Sequence, residues 1–262
     1  MSKVELIALS KPSASTDCHT AQELIAYCAR VSNPNNQNNT QTAPKLIRYL
    51  MKNAHWSPFE MVHMTVSITT TRDIGRQILR HRSFSFQEFS QRYAVSENFV
   101  TREARLQDLK NRQNSIKIDD SELEEEWNML QIDFLNDVQD LYKWALKNGI
   151  AKEQARAVLP EGLTETTMYM AGSLRSFVHY CQLRMEKGTQ KEHREIAEKI
   201  WDIIGIHFPD IVEAMKEEDP QVELIQKLKD IHAVVSNYDP LPYDIRLGLI
   251  HDLKTLLGKY DK

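Results

Sequence analysis

The residues of this sequence with the most chemistry per position lie between 77 and 92, in "QILRHRSFSFQEFSQR". Arg80, His81 and Arg82 stand side by side. No helix or strand needs three adjacent basic-type side chains, because consecutive residues point in different directions. Arg80, Arg82 and Arg92 set three fixed positive charges against the single carboxylate of Glu88. Arginine presents a planar fork that matches phosphate oxygens bidentately. Ser85 and Ser90 add hydroxyls, and Gln77, Gln87 and Gln91 add carboxamides able to read the edge of a heterocycle. A nucleotide monophosphate is the ligand that asks for this mixture. A surface turn with its charges in water would not intersperse Phe84, Phe86 and Phe89. Cations closing a helix C-terminus, worth about 0.3–1 kcal/mol each, account for one residue of the triplet but not for the Ser, Glu and Arg that follow.

A second cluster lies far along the chain. Arg156 sits among apolar residues in "ARAVLP", and Arg175, His179 and Arg184 share the segment "SLRSFVHYCQLR". If that segment is a helix, Arg175 and His179, four apart, lie on one face. Arg184 is nine beyond Arg175, about half a turn round at ~100° per residue. One ligand cannot readily meet both arginines; two ligands, or two subunits, can. Taken alone, His179 is more often a hydrogen-bonded packing residue. Cys181 falls with Leu174, Val178 and Met185 on the apolar face, turned away from His179, and reads as core rather than nucleophile.

Several chemistries are excluded. There is no GxGxxG, GxxxxGK[ST], HExxH or GxSxG motif, and eight glycines leave little for a glycine-rich phosphate loop. Anions must then be met by side chains and helix ends. A formal charge of −4 argues against a nucleic-acid binder, whether general or one using Arg and Phe of 80–92 on single strands. Cys18, Cys28 and Cys181 form no paired or CxxC pattern, so neither a disulfide framework nor a metal site is indicated and all three read as reduced and partly buried. "MSKVELIALS" is too short and interrupted for a signal peptide, and no apolar run approaches ~18 residues. The chain reads as a cytoplasmic protein with no membrane span.

The elements that must position these residues follow from periodicity. "KVELIAL" predicts a first strand and "TAQELIAYCARV" a helix, followed by an Asn-rich surface loop at 33–42 and a second helix in "APKLIRYLMKN", with Pro44 near its first turn. "VHMTVSITTT" predicts a strand with Met64, Val66 and Ile68 on one face, and Thr71 then caps a helix "RDIGRQILRHR" with Arg80 to Arg82 in its last turn or just past it. Residues 121–148 predict a long amphipathic helix with Leu123, Trp127, Leu130, Phe134, Val138, Leu141 and Ala145 on its apolar face. "LTETTMYMAG" predicts a strand, and "SLRSFVHYCQLRM" and "KEHREIAEKIWDIIGIHF" two helices. The tail from about 216 to 262 reads as helical again, broken by "DPLP" at 239–242, with no assigned role. The expected architecture is α+β and helix-rich, a single domain over 1–215 with two or three strands sharing one small central sheet.

Arg80-His81-Arg82 followed by seven residues and Ser90 resembles the signature of the flavin-dependent thymidylate synthases. "RVS" at 30–32, "HWSPFE" at 55–60, "ARAVLP" and "SLRSFVHYCQLR" fall in that family's order, so that the resemblance spans roughly residues 4–215. It implies the thymidylate synthase-complementing-protein fold and a homotetramer with active sites between subunits. The implied reaction converts dUMP to dTMP with FAD, NADPH and methylenetetrahydrofolate. Position by position, Arg80, His81, Arg82 and Glu88 resemble flavin-contacting residues. His55 and Ser57, with Ser32, resemble a flavin-proximal set supplied by a neighbouring subunit, and Ser173, Arg175 and His179 resemble the far-helix flavin positions. Gln77, Arg80, Glu88, Phe89, Ser90, Gln91, Arg92, Arg156 and Arg184 resemble the nucleotide positions, with Arg184 the residue that activates the uracil. Position 87 is Gln where relatives often carry Asn, position 179 is His where some carry Asn, and Gly188 stands where some carry His. The competing expectation is a regulatory protein that binds the same ligands without turnover.

Overall fold

The structure, a computed structural model, describes residues 2–217 and a few helical positions between 228 and 253. The break expected at 239–242 lies outside the described residues. An antiparallel four-stranded sheet runs in the order β1 (Lys3–Leu9), β2 (His63–Thr71), β6 (Glu165–Ser173), β3 (Ser85–Glu88). Its centre is the β-branched run of β2, in which Met64, Val66 and Ile68 alternate inward as expected and face Met168 and Met170 of β6. Burying each such side chain contributes about 1.5–3 kcal/mol.

The sheet has one strand more than the sequence reading allowed. β3 falls inside the segment read for chemistry, where the alternation of half-buried Phe84 and Phe86 with exposed Ser85 and Gln87 is real but only four residues long. A separate ribbon pairs β4 (Arg105–Gln107) with β5 (Ser115–Lys117) around a turn in which Asp108 Oδ1 accepts from the amides of Lys110 (2.8 Å) and Asn111 (3.1 Å). Three-residue strands carry too little periodicity to be seen in advance.

α1 (Ala21–Ala29) starts at a capping box: Thr20 Oγ1 accepts from the Glu23 amide and Glu23 returns a bond to the Thr20 amide, both at 3.1 Å. α2 (Ala43–Lys52) has Pro44 in its first turn. α6 (Leu174–Arg184) and α7 (Lys191–His207) pack Phe177, Val178 and Cys181 against the core that includes Ile196, Ile200 and Ile204, and α8 (Pro209–Glu217) closes over α2 and α7. α3 (Arg72–Ile78) begins at Thr71, but the Thr71 hydroxyl makes no cap bond. It donates instead to Asp73 and accepts from the half-buried Arg102 guanidinium, which also meets Asp73. The basic triplet therefore lies just past the end of α3.

α4 (Ser121–Lys147) begins at Asp120, whose carboxylate accepts from the amides of Glu122 and Leu123 at 3.1 Å. Its buried face overlaps the expected one only at Val138 and Ala145. Gln131, Leu135, Val138, Tyr142 and Ala145 are buried, whereas Leu123, Trp127, Leu130, Phe134 and Leu141 are 42–57 % exposed. Among the described elements the helix meets mainly α5 (Lys152–Ala155) and the 3-10 turn after it, which leaves most of the apolar stripe exposed among the described residues.

Candidate active site between two faces of one helix

Ser173 ends β6 and caps α6, its Oγ accepting from the Ser176 amide at 3.3 Å and sharing a 3.1 Å hydrogen bond with the Ser176 hydroxyl. The buried stripe of Leu174, Phe177, Val178 and Cys181 fixes the helix's rotation, which sends its polar residues to two different places. On one side, Arg175 Nη1 donates to Glu60 Oε1, and the His179 ring stands edge-on to Trp56 with centroids 4.6 Å apart. Trp56 and Glu60 belong to a turn built for position. α2 ends in a Schellman closure, with the Ala54 amide on the Met51 carbonyl (2.9 Å) and the His55 amide on the Leu50 carbonyl (2.8 Å). The left-handed residue is Ala54 (φ 53°), not glycine, at a cost of about 1–2 kcal/mol. That strained residue delivers His55, Trp56 and Ser57 to the end of α6. Burial and the Arg175 charge push the His179 pKa down, so the ring is neutral at neutral pH.

Beside them, Glu60, His63, Ser83, Ser85, Ser173 and Ser176 line an open groove of about 630 Å³ floored by Ala171 and Gly172. Gly172 is required there, since a Cβ would lie 2.6 Å from Phe84 Cδ1.

On the other side of α6, Arg184 Nε donates to His81 Nε2 at 2.9 Å. His81 must hold a lone pair there and is neutral; burial, then the Arg184 charge, lower its pKa. Its ring stands edge-on to Tyr180 at 4.9 Å. Gln77, at the end of α3, lies 3.2 Å from His193 Nδ1 and donates to Gln190 at 2.8 Å. Glu88 Oε1 accepts from Thr166 (3.0 Å) and faces buried Arg72 (3.4 Å), which also holds Glu161 at 3.1 Å.

The remaining candidates gather around α5. Arg92 pairs with Glu153 at 3.5 Å and Lys152 Nζ donates to the Tyr93 carbonyl, which ties the loop after β3 to the start of α5. Phe89 is exposed, with its amide on the Thr167 carbonyl at 2.9 Å. Ser90 Oγ accepts from the Arg92 amide at 3.4 Å, whereas Gln91 is buried and donates to Ser96 at 2.9 Å. Among the described residues no carboxylate pairs with Arg80, Arg82 or Arg156, so three guanidinium groups remain for an anion. Ser32 is exposed in the turn after α1, and among the described residues no hydrogen bond joins it to the rest.

α6 thus separates a group of His55, Trp56, Ser57, Glu60, Ser173, Arg175 and His179 from a group of Gln77, His81 and Arg184. Sequence reasoning missed the partners: Glu60, Arg72, Tyr180 and His193. His193 alone left a trace, since it precedes Ile196 and Ile200 by three and seven residues and so shares the buried face of α7. A further depression of about 400 Å³ places Lys191 and Lys199 among Glu103, Glu165, Glu192 and Glu195, and offers an anion no surplus of positive charge.

The family model of the thymidylate synthase complementing protein matches residues 15–210, well over half of the chain. This chain belongs to that family. It is 48 % identical over 215 residues to the flavin-dependent thymidylate synthase of Synechocystis sp., covering 81 % of this chain and 99 % of that one. Against the probable flavin-dependent thymidylate synthase of Paramecium bursaria Chlorella virus 1 it is 47 % identical over 212 residues, covering 80 % and 97 %. The UMP/dUMP methylase PolB of Streptomyces cacaoi, solved with 5-Br dUMP, superposes with a TM-score of 0.71 at 26 % identity, covering 83 % of this chain and 95 % of that one. A flavin-dependent thymidylate synthase has to hold two ligands, and two separately built faces meet on α6.

Proposed function

We propose that this protein converts dUMP to dTMP with methylenetetrahydrofolate as carbon donor, FAD as hydride carrier and NADPH as reductant. The observation that carries this reading is the setting of Arg184. Its Nε is anchored on a neutral histidine, while Nη1 and Nη2 make no hydrogen bond among the described residues. The groups present fit a flavin: an open groove lined by serine hydroxyls beside a capped helix N-terminus. His55, Ser57, Arg80, Arg82, Ser173, Arg175 and His179 would hold it; His81, expected among them, stands instead on the Arg184 side of α6 and joins Ser32 and Glu88 as a further candidate. When bound, FAD takes up reducing equivalents from NADPH and supplies the hydride that completes the methyl group.

The chain's own residues bind, orient and polarise. Arg92 and Arg156, with Ser90, offer charge-assisted hydrogen bonds to the nucleotide's phosphate, and Gln77, Glu88, Phe89 and Gln91 complete that side. The Arg184 guanidinium, facing the pyrimidine, favours negative charge on N3 and the adjoining oxygen and so makes C5 nucleophilic. No thiolate takes part. Cys181 is fully buried, its Sγ donates to the Ala197 carbonyl, and burial pushes its pKa far up.

The working unit of this proposal is a homotetramer with active sites shared between subunits. The stripe of α4 left exposed among the described residues supports it, as does the exposure of His55 and Ser57. The three free cysteines support a reducing, cytoplasmic setting. Among the described residues no helix is long and apolar enough to cross a membrane.

An absorbance spectrum tests the reading. The purified protein is expected to be yellow, to bleach when NADPH is added without oxygen, and to form dTMP once dUMP and methylenetetrahydrofolate are present. A colourless protein that takes up no FAD on titration overturns it.

A further inference from the structure

His193 lies between α3, α6 and α7, fully buried on the face of α7 that carries Ile196 and Ile200. A buried imidazole needs a partner at each nitrogen. Nε2 lies 3.0 Å from the Tyr180 hydroxyl and Nδ1 lies 3.2 Å from Gln77 Oε1. The place of its proton follows from the far end of the same chain of hydrogen bonds. Glu192, paired with Arg102 at 3.2 Å, is a carboxylate and can only accept. Gln190 therefore turns its amide nitrogen to Glu192 (3.0 Å) and its carbonyl to Gln77, which donates to it at 2.8 Å. That leaves the Gln77 carbonyl facing His193, so Nδ1 carries the proton and Nε2 accepts from Tyr180. Every bond in the series points the same way, towards the Arg102–Glu192 pair.

From this we infer that His193 is a positioning residue of the nucleotide site: protonated on Nδ1 alone, it occupies the carbonyl of Gln77, so that Gln77 meets the nucleotide only as a donor. The inference rests on the reading of Gln77 as part of the dUMP site. Gln77 Nε2 has two hydrogens; one goes to Gln190 and one remains for an acceptor oxygen of the ligand. A ligand presenting an N–H group at that point is refused, because the amide cannot rotate without breaking its bonds to both His193 and Gln190. The same imidazole is tied to the uracil-activating side as well. Tyr180, which donates to it, stands edge-on to His81, and His81 anchors Arg184. Burial, with the Arg184 charge and His81 beside it, pushes the His193 pKa down to about 3. The ring therefore stays neutral, as the network needs, throughout the physiological range.

The test uses the FAD-loaded enzyme and three variants, with dUMP affinity by titration, steady-state kinetics and FAD uptake as readouts. His193→Leu keeps bulk and removes both bonds. Its dUMP affinity is expected to fall and KM for dUMP to rise about tenfold, roughly what one hydrogen bond is worth, with kcat within about twofold and FAD uptake unchanged. His193→Asn, whose amide nitrogen stands near the place of Nδ1, is expected to recover affinity to within about threefold of wild type. Equal affinity in His193→Leu and wild type, or no difference between Leu and Asn, overturns the inference. Should His193→Leu fail to fold, exposed Gln190→Met carries the test. About threefold weaker dUMP binding is expected from loss of the outer acceptor, and unchanged affinity overturns the inference. A wild-type protein that binds no dUMP overturns the assigned reaction and this inference with it, whereas wild-type binding with an indifferent His193→Leu overturns the inference alone.

Discussion

Arg175 and Arg184 lie nine residues apart on one helix and reach opposite partners, Glu60 for the first and His81 for the second. Nine residues at ~100° each leave them about half a turn apart. The apolar stripe between them is buried to the last atom at Phe177, Val178 and Cys181, so the helix cannot roll to bring both to one ligand. A rigid core element therefore divides the site, and the division can be measured.

Arg184→Ala is expected to spare FAD uptake and to weaken dUMP binding by ~1.5–3 kcal/mol, the worth of a hydrogen bond to a charged group. Turnover falls further than binding, because a guanidinium that stabilises developing charge on the uracil matters most in the transition state. Arg175→Ala does the reverse and loses flavin first. Titrating both variants with FAD and dUMP, then measuring dTMP formation at saturating ligand, decides it. Loss of flavin with intact dUMP affinity in Arg184→Ala would refute the division of α6.

Cys181→Ala is expected to keep thymidylate formation. The thiol is buried, donates to the Ala197 carbonyl and has its pKa raised by burial, so it supplies no thiolate. Trimming it costs stability on the order of 1 kcal/mol. A folded, flavin-loaded Cys181→Ala that makes no dTMP would contradict the proposed route.

Long periodic elements were legible in the sequence, and so was the two-sidedness of α6, because an eleven-residue helix with five buried positions leaves its remaining polar residues no choice of direction. What stayed hidden has two physical causes. β3 and the β4–β5 ribbon are too short for periodicity to speak. Partners such as Glu60 for Arg175 or His193 for Gln77 are more than a hundred residues distant, and spacing along the chain says nothing about them. The stripe of α4 was misjudged for a third reason. An amphipathic pattern reports that a face must be covered, not which element covers it.

Acid is expected to destabilise the fold through His193. Its pKa is about 3 in the folded chain against an ordinary value of 6.5, lowered by burial first and then by Arg184 and His81. A depressed folded pKa means that the contribution is complete above about 6.5 and is lost as pH falls towards 3. In that window the unfolded chain takes up a proton that the folded chain refuses, so stability drops by about 1.4 kcal/mol per pH unit. His81 and His179 shift the same way and add to the slope. Denaturant unfolding at pH 7.5 and pH 5 measures it, and His193→Asn is expected to reduce the difference by about 2 kcal/mol. An unchanged difference in that variant would assign the acid sensitivity to other groups.

Gly172→Ala tests how tightly the signature segment is seated. Gly172 lies on β6 beside Ala171, which is opposite Ser85 of β3, and a Cβ there would come within 2.6 Å of Phe84 Cδ1 and 3.0 Å of its Cε1. Phe84 has little room to yield: its ring is held edge-on to Phe177 at 4.8 Å and to Tyr180 at 5.9 Å. Gly75 makes a useful contrast. A Cβ there meets the terminal methyl of Met168 at 2.8 Å, the far end of a flexible side chain that can swing aside. Gly172→Ala is expected to cost about 1–3 kcal/mol of stability through overpacking, and Gly75→Ala less. Because Phe84 follows Arg80, His81 and Arg82 within two residues of the triplet's end, its displacement should also shift those side chains and weaken FAD uptake in Gly172→Ala. Thermal unfolding and FAD titration of the two variants side by side check both halves. A Gly172→Ala protein as stable and as well loaded with flavin as Gly75→Ala would show that the segment is not held by this contact.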